Sequence, residues 1–117
     1  MNSKPEELRE RTKSFAVRVF KMYGALPRTE QAHVAGKQLL RCASSVAANY
    51  RAACRARTKA EFVSKLGIVV EEADESVFWI ELMVETDILP AAKLTGLLTE
   101  ARELTAIFTA SRKTARE

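Results

Sequence analysis

The sequence predicts an all-α protein, an up-and-down antiparallel four-helix bundle occupying residues 1–117 as a single domain. Three observations predict it. Apolar residues recur at alternating steps of three and four along four successive stretches, the signature of a helix with one buried face. The three prolines stand only at the ends of those stretches, where a helix tolerates them. Alanine is abundant and runs of β-branched residues are scarce, which favours helix over strand. No strand pattern, low-complexity segment or internal repeat competes, and 117 residues are enough to bury a core.

The first helix is expected over about residues 4–25. Ser3 and Glu6 have capping-box spacing, and Pro5 suits a first turn. Leu8, Thr12, Phe15, Val19 and Met22 form its stripe, Phe20 and Tyr23 widen it, and Gly24 and Pro27 end it. The second helix starts at Thr29 or Glu30 and is expected to run to residue 57. Its stripe is Leu39, Ala43, Val46, Tyr50 and Ala53, flanked by Leu40, Ala47 and Cys54. So many small residues let a neighbouring backbone approach closely.

A second capping box, Thr58 with Glu61, opens a third helix over residues 59–85. Phe62, Leu66, Val69, Ala73, Ser76, Ile80 and Met83 recur along it, with Val63, Val70, Val77 and Val84 beside them. Phe78, Trp79, Ile68 and Leu82 lie off that face and suggest a second contact surface. The fourth helix is expected over residues 90–112, with Pro90 in its first turn and Leu94, Leu97, Ala101, Leu104 and Phe108 as its stripe. The tail SRKTARE is polar and is expected to fray.

Charge is distributed unevenly. The net charge is +4 and the isoelectric point near 9.3, a mildly basic balance that permits a nucleic-acid partner. From Gly67 to Pro90 there are seven acids and no Lys or Arg. If the second and third helices are antiparallel, residues at equal height have numbers summing to about 116 at the usual helical rise. Leu39 then meets Val77, Ala43 meets Ala73, Val46 meets Val70 and Tyr50 meets Leu66. Burying each large apolar side chain is worth roughly 1.5–3 kcal/mol, against about 0–1 kcal/mol for an exposed ion pair, so the apolar faces should meet.

That register leaves Lys37, Arg41, Ser44, Ala48 and Arg55 of the second helix, and Glu61, Ile68, Glu72, Glu75 and Trp79 of the third, on stripes read as pointing outward. They are largely complementary height for height, Arg41 with Glu75 and Arg55 with Glu61, and Arg51 with Lys65 on the same stripes is the one clash. The expectation is that these ten residues form a subunit interface between copies of the chain, one that closes into a ring.

No chemistry-bearing constellation is legible. The single histidine, His33, has no nucleophile or carboxylate at triad spacing. The acidic run lacks the Glu-x-x-His pairs of carboxylate-bridged metal bundles, and the glycines are isolated rather than gathered in a phosphate loop. No catalytic residue, metal, cofactor or small-molecule substrate is expected, and the chain is read as a non-enzyme. Cys42 and Cys54 share one helix roughly 18 Å apart, beyond disulfide reach. With no membrane-length apolar run and no apolar leader in MNSKPEELRER, they point to a reducing, cytoplasmic setting. Arg51, Arg57 and Lys59 at the end of the second helix, and Arg9, Arg11, Lys13 and Arg18 on the first, are candidates for binding RNA or DNA phosphates. The alternative is a protein-interaction scaffold without nucleic-acid affinity.

Several short motifs occur in order: Gln38-Leu39-Leu40-Arg41, Ser45-Val46-Ala47-Ala48-Asn49-Tyr50-Arg51, Lys59-Ala60-Glu61-Phe62 with Lys65-Leu66, then Glu72-Ala73-Asp74-Glu75 and Trp79. Together they resemble the bacterial four-helix-bundle family whose founding members are encoded in intervening sequences of 23S ribosomal RNA genes. The likeness runs from about Leu8 to Phe108. It implies an up-and-down bundle, a homopentamer and no established catalytic activity. A similar branch, the accessory variability protein of diversity-generating retroelements, binds nucleic acid as a pentamer, and the resemblance extends that role here as an expectation.

Overall fold

A computed structural model describes residues 4–117. Four helices, α1 (Pro5–Tyr23), α2 (Glu30–Cys54), α3 (Lys59–Glu85) and α4 (Thr95–Arg116), run up and down in chain order, with a short 3-10 turn at Ala91–Lys93 before the last. Each packs on its neighbour in sequence, α2 against α3 most extensively, and α4 returns to touch α1 least. The bundle measures 44 × 24 × 19 Å.

The helix ends follow from local chemistry. The proposed Ser3 cap lies outside the described residues, and α1 opens at Pro5 after an extended Lys4. Thr29 and Thr58 both cap in the expected way, each side-chain oxygen accepting from the backbone N–H three residues on, Ala32 at 3.2 Å and Glu61 at 3.1 Å. At the end of α3, Asp87 adopts a left-handed φ of 54°. Its N–H bonds to the Val84 carbonyl and that of Ile88 to the Met83 carbonyl, which together are a Schellman ending.

Three boundaries differ from the sequence reading. Helix α2 stops at Cys54, because the N–H groups of Arg55 and Ala56 already close tighter bonds to Ala52 and Ala53. Pro90 does not enter α4. It precedes the 3-10 turn, whose compact step lets both Leu89 and Leu94 reach the core, and α4 begins at Thr95. The tail is helical through Arg116 rather than frayed. Ala115 packs against the core, and the Arg112 Nε donates to the Val63 carbonyl at 3.3 Å, so contacts with α3 replace the missing apolar stripe.

The stripes meet at the centre of the bundle. Phe15, Val19, Leu39, Ala43, Val46, Leu66, Val69, Ala73, Ile80, Met83, Leu104 and Phe108 are all buried. The Tyr50 and Phe108 rings lie 4.9 Å apart, tilted at 45°. The two polar members of the stripes satisfy themselves within their own helices: Thr12 donates to the Leu8 carbonyl at 2.8 Å and Ser76 to that of Glu72 at 2.9 Å. Phe20 departs from the reading. It is 57% exposed and points out of the core rather than widening it.

Two buried glycines sit under different covers. A Cβ on Gly36 would lie 2.6 Å from Leu26 and 2.8 Å from the Tyr23 ring, whereas one on Gly67 would meet only the flexible end of Arg112 at 3.0 Å. Alanine gains about 1 kcal/mol over glycine inside a helix, and overpacking a rigid site loses about 1–3 kcal/mol. Gly36→Ala is therefore expected to lower stability by about 1 kcal/mol in a denaturant titration. Gly67→Ala should leave it unchanged or raise it by up to ~1 kcal/mol.

Candidate subunit and nucleic-acid interface

Arginines close three of the four seams between helices. Across α2–α3, Arg41 donates to both Glu72 oxygens at 3.1 and 3.2 Å, to Glu75, and to the Cys42 sulfur at 3.1 Å. Across α1–α4, Arg11 forks onto Glu100 at 2.6 and 3.0 Å and reaches Glu103 at 3.1 Å. Across α3–α4, Arg102 bonds Glu81 at 2.9 Å.

The Arg41 cluster corrects one premise of the subunit-interface expectation, that the two charged stripes cannot meet within one chain. Arg41 meets Glu72 and Glu75 of its own chain, at the register where residue numbers sum to about 116. At about 100° per residue Arg41 lies well outside the buried stripe of α2, and it makes these bonds because its long side chain reaches across to Glu72 and Glu75 of α3. Trp79 joins the same cluster, its indole N–H donating to Glu75 at 3.1 Å. Ser44 turns inward to the Leu40 carbonyl at 2.6 Å, and Ile68 is half-buried. Lys37, Ala48, Arg55 and Glu61 are exposed.

Ligand atoms of Cys42, Glu72 and Glu75 lie within 4.8 Å of one another, a donor set of the kind that holds metal ions. Arg41 bonds all three and supplies the positive charge there. Burial, and then a hydrogen bond with Glu75, push the Cys42 thiol well above its ordinary pKa, so it is a neutral packing group rather than a nucleophile. His33 is exposed and faces the Tyr23 hydroxyl at 3.3 Å from Nδ1.

The fourth seam, α1–α2, is built differently. A groove of about 830 Å³ runs along it, floored by Ala16, Ala47 and Ala48. Arg9 and Lys13 stand on one bank and Arg51 and Arg55 on the other, with Glu6 and Glu10 at the outer edge of α1. Only Arg9 of these four is in a salt bridge among the described residues, a loose one to Glu6 at 3.7 Å. Small residues let the two helices approach, and the cations then face one another across the gap.

The groove thus gathers three of the seven candidate phosphate-binding residues, Arg9, Lys13 and Arg51, and adds Arg55. Arg57 and Lys59 are exposed in and just after the α2–α3 turn. Arg11 lies on the other side of α1, neutralised by Glu100 and Glu103, and Arg18 extends toward Gly96 of α4. Sequence reasoning missed the exposed apolar residues Val17, Phe20 and Val34. Their positions opposite the buried stripes of α1 and α2 were the available signal.

The model of the 23S rRNA-intervening sequence protein family matches residues 6–110. Among solved structures, four chains match. One is a protein of unknown function from the S23 ribosomal protein family of Bacteroides thetaiotaomicron, with a TM-score of 0.86 and 29% identity, covering 95% of this chain and 99% of that one. No curated protein matches.

The seam cluster has an optical readout, because Trp79 is the one tryptophan. The Trp79 indole, then Cys42 and Arg41, hold the Glu75 carboxyl below its ordinary range. The unfolded carboxyl therefore takes up its proton first on acidification. The stabilisation is complete above about pH 5 and fades as pH falls through the lowered folded value. Trp79 emission should change with a midpoint below the ordinary glutamate value of about 4.3, and Glu75→Gln should abolish that transition. Both groups are partly exposed, so the pair's weight is no more than about 1 kcal/mol.

Proposed function

The chain belongs to the 23S rRNA-intervening sequence protein family, and from that premise we propose that it is a non-catalytic, self-assembling bundle whose α1–α2 face binds RNA or DNA. The observation that carries this is the unclamped seam. Three seams pair each arginine with carboxylates of the facing helix, while the fourth sets Arg9 and Lys13 against Arg51 and Arg55, and its two lining carboxylates, Glu6 and Glu10, both belong to α1. Like charges across a gap repel, and a phosphate backbone laid between them relieves that repulsion while releasing its counterions. Arg57 and Lys59, exposed next to this end of the groove, extend the track.

A ring of copies, five by the family resemblance, repeats the patch and raises avidity without any new contact. The absence of a catalytic role in this reading is supported by the neutral Cys42 thiol and by carboxylates already engaged by arginines. No helix among the described residues is long and apolar enough to cross a membrane. The free thiols of Cys42 and Cys54 support a reducing, cytoplasmic setting.

Fluorescence anisotropy with structured RNA and duplex DNA, titrated with salt, tests the reading. The logarithm of affinity should fall linearly with that of salt concentration, and Arg51→Ala or Lys13→Ala should each reduce the slope by about one. Arg11→Ala, which removes an already neutralised cation, should leave the slope alone. Absence of binding at low salt would overturn nucleic-acid binding and leave a protein-interaction scaffold.

A further inference from the structure

The large apolar side chains that the bundle leaves exposed are Val17, Phe20, Val34, Phe78 and Leu82, and they fall into two patches with opposite rims. On α1, the exposed side chains of Val17 and Phe20, here called the ridge, flank a shallow depression that they share with Ala16 and with the charged Lys13 and Lys21. Between the start of α2 and the end of α3 lies a groove of about 800 Å³ walled by Val34, Trp79, Leu82 and Ile88, and the charged residues lining it are Glu30 and Asp87. Phe78 stands at its edge, its ring 5.0 Å from that of Trp79 in an edge-to-face pair. Among the described residues, no acid lines the ridge's border and no base lines the groove.

We infer that the ridge of one copy docks in the groove of the next: Val17 and Phe20 enter between Val34, Trp79 and Leu82, while Lys13 and Lys21 face Glu30 and Asp87. The inference rests on the self-assembly reading above and assigns its contact surfaces. Charge chooses the occupant. A ridge against a second ridge would oppose lysine to lysine, and a groove against a groove would oppose acid to acid, so only the unlike pairing is free of repulsion. Within one chain α1 packs on α2 and α4 rather than on α3, which supplies Trp79 and Leu82 of the groove, so the ridge does not fill the whole groove of its own chain. The contact is therefore head-to-tail, the type that closes rings. The groove is also prepared for an occupant. Trp79 is pinned by its bond to Glu75, which Arg41 in turn holds, so an aromatic wall is ordered before anything docks.

A head-to-tail contact has a distinctive test. Phe20→Asp spoils only the ridge and Leu82→Asp only the groove. Both positions are exposed, so the helical circular dichroism and thermal midpoint should stay near wild type. By multi-angle light scattering, each variant alone should fall from the oligomeric mass to that of a single 13.0 kDa chain. Mixed in equal amounts, they should form a one-to-one dimer at twice that mass, since one intact ridge and one intact groove remain and neither end can add a third copy. Variants that keep the wild-type mass, or a mixture that stays monomeric, would overturn the assignment while leaving self-assembly standing. A wild-type chain that is itself monomeric would overturn self-assembly, and the assignment with it.

Discussion

The packing of α2 against α3 is the constraint on which the rest depends. Leu39, Ala43, Val46 and Ala53 are buried on one side and Leu66, Val69, Ala73 and Ile80 on the other, and the small members let the helices run close along most of their length. A slip of one turn would set large residues opposite large ones and leave methyl-sized gaps elsewhere, at a cost of several kcal/mol. Arg41 fixes the same register in polar terms by reaching Glu72 and Glu75. The apolar seam supplies the energy and the arginine clamp the specificity, since a partly exposed ion pair is worth at most about 1 kcal/mol.

Once that register is set, charge is partitioned among the four seams. Arg41, Arg11 and Arg102 each answer carboxylates of a facing helix, so these three of the nineteen Lys and Arg residues are not free positive charge. The α1–α2 seam breaks the rule, with cations on both banks of a groove floored by alanine. The mild net charge of +4 thus hides a local concentration of positive charge. At the other end of the molecule Glu30 of α2 and Asp87 just beyond α3 line an apolar groove. One chain carries a basic groove, an apolar patch on α1 that adjoins it through Lys13 and Ala16, and an acidic groove elsewhere, an arrangement suited to assembly and polyanion binding rather than to turnover.

Much of this fold was legible in the sequence. The α3 stripe from Leu66 to Met83, the cap at Thr58 and the α2–α3 register all follow from apolar spacing and side-chain chemistry that act locally. What was not legible depends on reach or on tertiary contact. Arg41 was read from the direction of its Cβ as an outward residue, yet its guanidinium crosses the seam. The tail beyond Ser111 has no stripe, and only the contacts of Arg112 and Ala115 explain why it stays helical. Pro90 is as acceptable before a 3-10 turn as inside a first α turn, so its presence did not fix where α4 begins. Phe20 sits about 120° around α1 from the centre of its buried stripe, so its spacing was itself a signal against reading it as core.

Whether the Arg41 clamp acts inside one chain or between chains decides how the surface is divided between assembly and binding. A double-mutant cycle on Arg41→Ala and Glu75→Ala, by denaturant unfolding over a hundredfold range of protein concentration, measures it directly. A clamp within the chain predicts a coupling of about 0.5–1 kcal/mol that does not vary with concentration. A coupling that grows as the protein is concentrated would place the pair between copies and contradict the account.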